Sequence, residues 1–183
     1  MVVHLPPGAL VVLIGAAGSG KSTLAARHFS SAEVLASDDY RAAVSGDAHD
    51  QSVTGEAFGR LHADLERRMA AGELTVIDAT NVQVWARRRL LAAAARHGRP
   101  AVALVLALPV EISLGRNAAR ADRRVPASAV RRQDRYLRAS LPRLGEEGYD
   151  AVVVPTNLDQ VERLEVRRIP GITNVPKERH PTL

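Results

Sequence analysis

The sequence contains no cysteine, little lysine and no apolar run long enough to cross a membrane. The absence of cysteine excludes disulfide bonds and zinc sites built on thiolates. The N-terminus also lacks the charged region followed by an apolar region that marks a signal peptide. We therefore expect a soluble, cytoplasmic protein with no membrane partner.

Lysine occurs only at positions 21 and 177, so arginine supplies nearly all of the basic charge. The net charge of +5 could serve a polyanionic partner. It could equally reflect the arginine-rich and alanine-rich usage of a GC-rich genome. The positions of the arginines are therefore more informative than their number.

A length of 183 residues suits one domain.

A complete phosphate-binding loop follows the apolar run at residues 10–14. Its residues are Gly15, Ala16, Ala17, Gly18, Ser19, Gly20, Lys21, Ser22 and Thr23. Glycines at this spacing let backbone N–H groups point at phosphate oxygens, Lys21 reaches the β- and γ-phosphates, and the Ser22 hydroxyl ligates Mg²⁺. A helix predicted directly after the loop adds its positive end to the anion site. The loop predicts binding of ATP or another NTP.

Apolar runs alternate with segments of helical period along the chain. The predicted strands are residues 10–14, 34–36, 74–77, 101–108 and 149–154, and the predicted helices are residues 55–71, 84–97, 109–122, 128–141 and 158–168. This alternation predicts an α/β fold, a parallel five-stranded sheet flanked by helices, with ligands at the carboxyl ends of the strands.

Two acids and an arginine follow the second predicted strand. A kinase needs a carboxylate that takes the proton of the attacking hydroxyl and a cation that holds the acceptor. Asp38 suits the first role and Arg41 the second. Alternatively, Asp38 or Asp39 caps a helix that begins near Tyr40.

The third predicted strand ends in a second polar group. Asp78 lies where nucleotide-binding folds keep a carboxylate facing Mg²⁺ and its waters. Thr80 or Asn81 could donate hydrogen bonds to a substrate. The alternative is that Asp78 and Asn81 cap the next helix.

Arginines concentrate between positions 116 and 138. Arg116, Arg120 and Arg123 recur at helical spacing, so one helix face could present three guanidinium groups. In small phosphotransferases, a helical lid with arginines closes over the donor at this place and neutralises charge on the transferred phosphoryl group. We expect a solvated basic face for Arg124, Arg132, Arg135 and Arg138, while the role of Arg120 is left open.

These motifs together resemble the 5′-kinase domain of bacterial polynucleotide kinase-phosphatase. The matching segments are residues 15–23, 37–41, 50–55, 76–82 and 116–123. The first two also resemble phage polynucleotide kinase. The similarity runs from about residue 8 to about residue 169, and residues 50–82 are its most family-specific part. We therefore expect a P-loop phosphotransferase domain over residues 1–169 and a tail or linker over residues 170–183.

The resemblance implies transfer of the γ-phosphate of an NTP to 5′-hydroxyl ends of RNA or DNA during nucleic-acid repair. It implies Lys21 and Ser22 at the phosphates and Mg²⁺, and Asp38 as general base. It further implies Arg41 at the terminal phosphodiester of the acceptor, and Arg116 and Arg123 on the donor. A matching motif also places Gln51 near an acceptor or donor phosphate.

Other functions are compatible with the same donor site. One is a kinase for a sugar, nucleoside or antibiotic hydroxyl, and another is a nucleotide-switched binding module, although a switch needs no general base. Members of the family usually continue into phosphatase and ligase-like domains, so phosphatase and ligase proteins or domains are expected partners. Trp85 and Tyr136 could stack on bases, or could simply pack or lie at the surface.

Overall fold

The computed structural model describes residues 1–48, 50–120 and 125–170. The α-helices and strands of these ranges are, in chain order, β1 Val2–Leu5, β2 Leu10–Ile14, α1 Lys21–His28, β3 Val34–Ala36, α2 Ser37–Ser45, α3 Thr54–Ala71, β4 Thr75–Asp78, α4 Val84–Arg96, β5 Ala101–Val105, α5 Val110–Ala119, α6 Ala127–Ser140, β6 Ala151–Val153, α7 Leu158–Glu162 and β7 Glu165–Arg168. None of these helices combines the length and apolar composition of a membrane span.

Five strands form a parallel sheet in the order β3-β4-β2-β5-β6, which confirms the predicted fold class. All five residues of β2 are fully buried, as expected for a strand covered on both faces. The chain leaves β2 toward β3 and β4 on one side and later adds β5 and β6 on the other. This reversal places a crevice at the carboxyl end of β2, where the phosphate-binding loop begins.

Side chains of β2 alternate between two hydrophobic clusters, one on each face of the sheet. Leu10, Val12 and Ile14 pack with residues of α3, α4 and α6. Val11 and Leu13 pack with residues of α1 and β1 on the other face. This alternation is the two-residue period of a strand. The sheet is therefore fixed from both sides, and the loop after β2 rests on a rigid base.

The terminal segments pair in a second, two-stranded parallel sheet that the sequence analysis did not predict. Val2 lies opposite Glu165, and Leu5 lies opposite Arg168. The helix predicted over residues 158–168 is wrong beyond Glu162, where α7 ends. Leu164 is buried, and the backbone of β7 bonds to β1 in register, so pairing between distant segments overrides the local helical pattern.

Three predicted segments are longer than the observed elements. The strand predicted over residues 101–108 ends at Val105, and the strand predicted over residues 149–154 covers only Ala151–Val153. Leu106 and Leu108 are nevertheless buried, because the chain stays in the core after it leaves the sheet. The helix predicted over residues 109–122 ends at Ala119.

Candidate functional site

The phosphate-binding loop adopts a conformation that needs glycine. Gly18 and Gly20 have positive φ angles of 80° and 100°. A Cβ atom at Gly18 would collide with the carbonyl oxygen of Ser113, because α5 packs directly on the loop. Helix α1 begins at Lys21, so its positive end faces the loop. The loop therefore directs backbone N–H donors and the N-terminus of α1 toward the same anion-binding site.

Lys21 lies along the loop, and its side chain is largely buried. Its Nζ donates to the carbonyl oxygen of Ala16 at 2.8 Å and lies 3.4 Å from the Ser19 hydroxyl. The ammonium group is thus held at the anion site. Gly15, Ala16 and Ser19 are the buried residues of the loop before Lys21. The N–H of Gly15 donates to the carbonyl of Thr80 at 3.0 Å, which joins the loop to the segment after β4.

Two side chains from α5 and α6 contact the loop. Arg116 Nη1 donates to the carbonyl of Ser19 at 3.3 Å, so the structure brings this predicted arginine to the loop. Gln133 on α6 accepts a hydrogen bond from the Ala17 N–H at 2.8 Å. Sequence analysis missed Gln133, because a polar residue within an arginine-rich helix carries no local signal for a partner 116 residues away.

A Gly18→Ala substitution is expected to weaken NTP binding about tenfold or more. The left-handed conformation costs an L-residue about 1–2 kcal/mol, a factor of about ten in affinity, and the added methyl would also meet Ser113. Isothermal titration with an NTP measures the effect. The matched control is Gly59→Ala, since Gly59 lies inside α3 and a Cβ there meets no atom within 4 Å. Equal affinities in the two variants would contradict the assignment of the loop.

The acids after β3 lie within a helix and do not cap one. Helix α2 begins at Ser37 with Ala36 as N-cap, so Asp38 and Asp39 occupy its first turn, where carboxylates are favoured by the helix dipole. Arg41 is buried, forms an ion pair with Asp38, and donates from Nε to the carbonyl of Ala48 at 2.9 Å. The two residues predicted for the acceptor side are therefore in direct contact.

Asp78 lies at the end of β4 and accepts a hydrogen bond from the Ser22 hydroxyl. Burial raises the pKa of this carboxyl, while Ser22 and Lys21 act in the opposite direction. Helix α4 begins at Val84 with Gln83 as N-cap, so Asp78 does not cap it. The structure thus brings together the two residues predicted for Mg²⁺.

Asn81 has a structural role, lines the cavity and does not cap a helix. It is buried, with φ at 48°, and its amide donates to the carbonyls of Leu13 at 2.8 Å and Ala79 at 3.3 Å. Its own carbonyl accepts from the fully buried Arg87 at 2.9 Å. Asn81 therefore ties the segment after β4 to the end of β2, and this segment carries Thr80.

One cavity of about 1210 Å³ contains nearly all of the predicted site. It is lined by Ala17, Gly18, Gly20, Lys21, Ser22, Thr23, Asp38, Arg41, Gln51, Asp78, Thr80, Arg116 and Arg120. Typical cavities for one small ligand measure roughly 300–1,000 Å³. The cavity is therefore large enough for a donor and an acceptor together.

The arginines after β5 are arranged differently from the prediction. Helix α5 carries Arg116 but ends at Ala119, and Arg120 has an extended backbone, so one helix face does not present three guanidinium groups. The Asn117 side chain bonds to both backbone groups of Val125, so Val125 lies against α5. Arg123 and Arg124 lie outside the described residues.

The predicted basic face of α6 is exposed at Arg132, Arg135 and Arg138, and two of these arginines also have partners or line the cavity. Arg132 lines the cavity, and Arg138 pairs with Asp134 and donates to the carbonyl of Leu108 at 3.0 Å. Leu158 and Val161 of α7 also line the cavity, and Arg27 of α1 donates to the carbonyl of Val161. Sequence analysis missed these apolar residues, since a short helix without a periodic face gives no functional signal.

Comparisons with known proteins agree on the fold. A family model described as an AAA domain matches residues 10–143. A chain in the structure of the Pnkp1/Rnl/Hen1 RNA repair complex is 24% identical with a TM-score of 0.65, and the match covers 78% of this chain and 47% of that one. This chain therefore spans about half of that neighbour's length.

Two further solved structures are similar over most of their own length. A putative kinase from Chloroflexus aurantiacus J-10-fl is 13% identical with a TM-score of 0.57, covering 81% of this chain and 84% of that chain. A sugar kinase from Janibacter sp. HTCC2649 is 23% identical with a TM-score of 0.55, covering 85% and 90%. Curated protein sequences give no match.

With its matching loop, sheet order and family model, the chain belongs to the AAA domain family and has a P-loop, kinase-like fold.

Proposed function

We propose that the protein is an NTP-dependent polynucleotide 5′-hydroxyl kinase. The observation that carries this proposal is the shared cavity, which holds the phosphate-binding loop and the Asp38–Arg41 pair. A phosphotransferase needs a donor site and an acceptor base in one enclosure. The nucleic-acid acceptor is supported by the motifs at residues 50–82 and by the likeness to a chain of an RNA repair complex.

The transfer proceeds as an in-line displacement. The 5′ oxygen forms a bond to the γ-phosphorus while the bond from that phosphorus to the β–γ bridging oxygen breaks, and an NDP leaves. Asp38 takes the hydroxyl proton, and Arg41 holds both Asp38 and the nearest acceptor phosphate. Lys21 and Arg116, both at the loop, neutralise charge on the phosphoryl group. Arg120 and Arg123 are proposed to assist from the donor side, and Gln51 and Thr80 from the acceptor side.

The residues at the end of β4 fit a magnesium ion. The Ser22 hydroxyl and the Asp78 carboxylate are hydrogen-bonded to each other, and such oxygen donors suit Mg²⁺, which usually keeps several waters. Bound Mg²⁺ would offset the negative charge of the donor phosphates. Ser22 would hold the ion directly, and Asp78 would hold its waters.

A kinase for a small hydroxyl compound is the second candidate. It is favoured by the similarity to the Janibacter sugar kinase, which extends over 90% of that chain. Such an enzyme keeps the donor site and changes only the acceptor side. The cavity volume, which exceeds the usual size for one small ligand, is compatible with both acceptors.

An acceptor panel separates the two candidates. Purified protein receives labelled NTP with Mg²⁺ and either a 5′-hydroxyl oligonucleotide or one of a set of sugars, nucleosides and aminoglycosides. We expect labelling of the oligonucleotide, with a KM that rises steeply with ionic strength because its phosphates release counterions on binding. Labelling of a sugar or nucleoside, with none of the oligonucleotide, would contradict the proposal and favour the second candidate.

A further inference from the structure

The cavity that contains Asp38 is also lined by an exposed aromatic ring and a cation. Trp85 lines the cavity although its side chain is 62% exposed. Arg89 follows four residues later on α4, so the two side chains lie on one helix face, and Arg89 lines the same cavity. An aromatic ring and a guanidinium on one face of a cavity are the groups that stack on a nucleobase and bind a phosphate.

Helix packing places Trp85 beside the elements that carry the acceptor residues. Helix α4 packs on α3, and α3 packs on α2, which carries Asp38. Tyr136, the other exposed aromatic residue of the cavity, lies on α6 with Gln133, which contacts the phosphate-binding loop. The packing of α4 on α3, and of α3 on α2, therefore places Trp85 on the acceptor side of the cavity.

The indole ring of Trp85 lies on a segment that hydrogen bonds hold in place. The Trp85 indole N–H donates to the side-chain oxygen of Gln83, so its polar group is already satisfied by a neighbour. Hydrogen bonds hold the residues before Trp85 in place. The Asn81 amide donates to the carbonyl of Leu13, and Arg87 donates to the carbonyl of Asn81. A ring presented on such a segment loses little conformational freedom when it stacks on a ligand.

Arg89 provides positive charge beside the ring. Throughout residues 1–48, 50–120 and 125–170, no carboxylate forms an ion pair with Arg89, whereas Arg96 on the same helix pairs with Glu66. The guanidinium lies close enough to His62 to lower the pKa of that imidazole, after the larger effect of burial. An exposed arginine that faces a cavity without an acidic partner is suited to a phosphate.

We propose that Trp85 and Arg89 form a subsite for one nucleotide of the acceptor strand, where the indole stacks on a nucleobase and the guanidinium binds a phosphodiester. The inference rests on the proposed function and names the acceptor contacts beyond the reacting terminus. Stacking tolerates every base, so the subsite selects a polynucleotide over a sugar without reading its sequence.

Trp85 is the only tryptophan of the chain, so its fluorescence reports on the subsite directly. Without NTP no transfer occurs, and a 5′-hydroxyl oligonucleotide labelled at its 3′ end can be titrated into the protein. We expect quenching of tryptophan emission in parallel with the rise in anisotropy of the label, and little quenching by NTP alone. Binding seen by anisotropy with unchanged tryptophan emission would overturn the subsite.

Kinetics of matched variants give the second readout. Trp85→Ala and Arg89→Ala are each expected to raise the KM for the oligonucleotide about tenfold, with kcat and the KM for NTP nearly unchanged. Trp85→Phe should restore most of the affinity because it keeps a stacking face. Arg88→Ala is the control for Arg89, since Arg88 is also exposed but lies outside the cavity lining. Only Arg89→Ala should reduce the slope of log KM against log salt, by about one unit.

The outcomes separate this inference from the function on which it rests. If the wild type labels oligonucleotides and both alanine variants keep its KM, the subsite is wrong and the kinase activity stands. If the wild type labels no oligonucleotide under any condition, the proposed function fails and the subsite fails with it. A Trp85→Phe variant whose KM for the oligonucleotide is as high as that of Trp85→Ala would show that stacking on the ring does not contribute to binding.

Discussion

An Asp38→Asn variant is expected to lose phosphoryl transfer by about 10²- to 10⁴-fold, the usual contribution of a general base. The substitution keeps the size of the side chain and a hydrogen-bond acceptor for Arg41, its partner on α2. It removes only the ability to take the proton of the attacking hydroxyl. The affinity for NTP should stay within about twofold, because Lys21 and the loop are unchanged. Rapid-quench transfer assays and NTP titrations measure the two effects.

Asp39→Asn is the matched control for this variant. Asp39 shares the first turn of α2 with Asp38, so both substitutions remove the same favourable interaction with the helix dipole. The Asp38 variant also weakens the ion pair with Arg41, so its thermal stability should fall somewhat further than that of the Asp39 variant. Transfer should survive in the Asp39 variant and fail in the Asp38 variant. An Asp38 variant as active as the wild type would remove Asp38 from the mechanism.

Arg87→Met is expected to destabilise the protein by about 3–5 kcal/mol, the usual cost of leaving one partner of a buried ion pair uncompensated. Arg87 is fully buried on α4, and its Nε and Nη2 atoms lie 2.7 and 2.5 Å from the two carboxylate oxygens of Glu147. Its third contact, to the carbonyl of Asn81, supports the segment that carries Thr80. The free energy of unfolding in urea measures the loss.

The double variant Arg87→Met with Glu147→Leu distinguishes the ion pair from simple loss of packing. An apolar pair of similar volume removes both charges, so most of the stability should return. About 1 kcal/mol should remain missing, since the hydrogen bond to the Asn81 carbonyl is lost in either case. A single variant that costs less than about 1 kcal/mol would show that the buried pair adds little to stability.

Local patterns in the sequence were sufficient for the sheet and for the donor loop. The run at residues 10–14 is the fully buried central strand, and the loop after it has the glycine conformations that its spacing requires. The helical period of residues 55–71 also predicted α3 within one residue, with Leu61, Leu65 and Met69 on its buried face. These features are predictable because each is determined by residues close together in the chain.

Features that depend on contacts between distant residues escaped prediction. Glu165–Arg168 looked helical locally but pairs with Val2–Leu5 at the other end of the described chain. Arg87 and Glu147 are 60 residues apart, and no local sequence pattern predicts their ion pair. Gln133 reaches Ala17 only because α6 folds back onto the loop. Contacts between distant segments are therefore what the structure adds most to the sequence, and one of them supports the donor loop.

The most direct test of the account is the position of the transferred phosphate. Wild-type protein is mixed with γ-labelled NTP, Mg²⁺ and an oligonucleotide that carries a 5′-hydroxyl, and the product is digested to 5′-mononucleotides. The account predicts that all label is recovered in the 5′-terminal mononucleotide, that the same oligonucleotide with a 5′-phosphate takes none, and that Asp38→Asn abolishes the product. An unlabelled oligonucleotide in the presence of bound NTP, or label at any position other than the 5′ end, would contradict it.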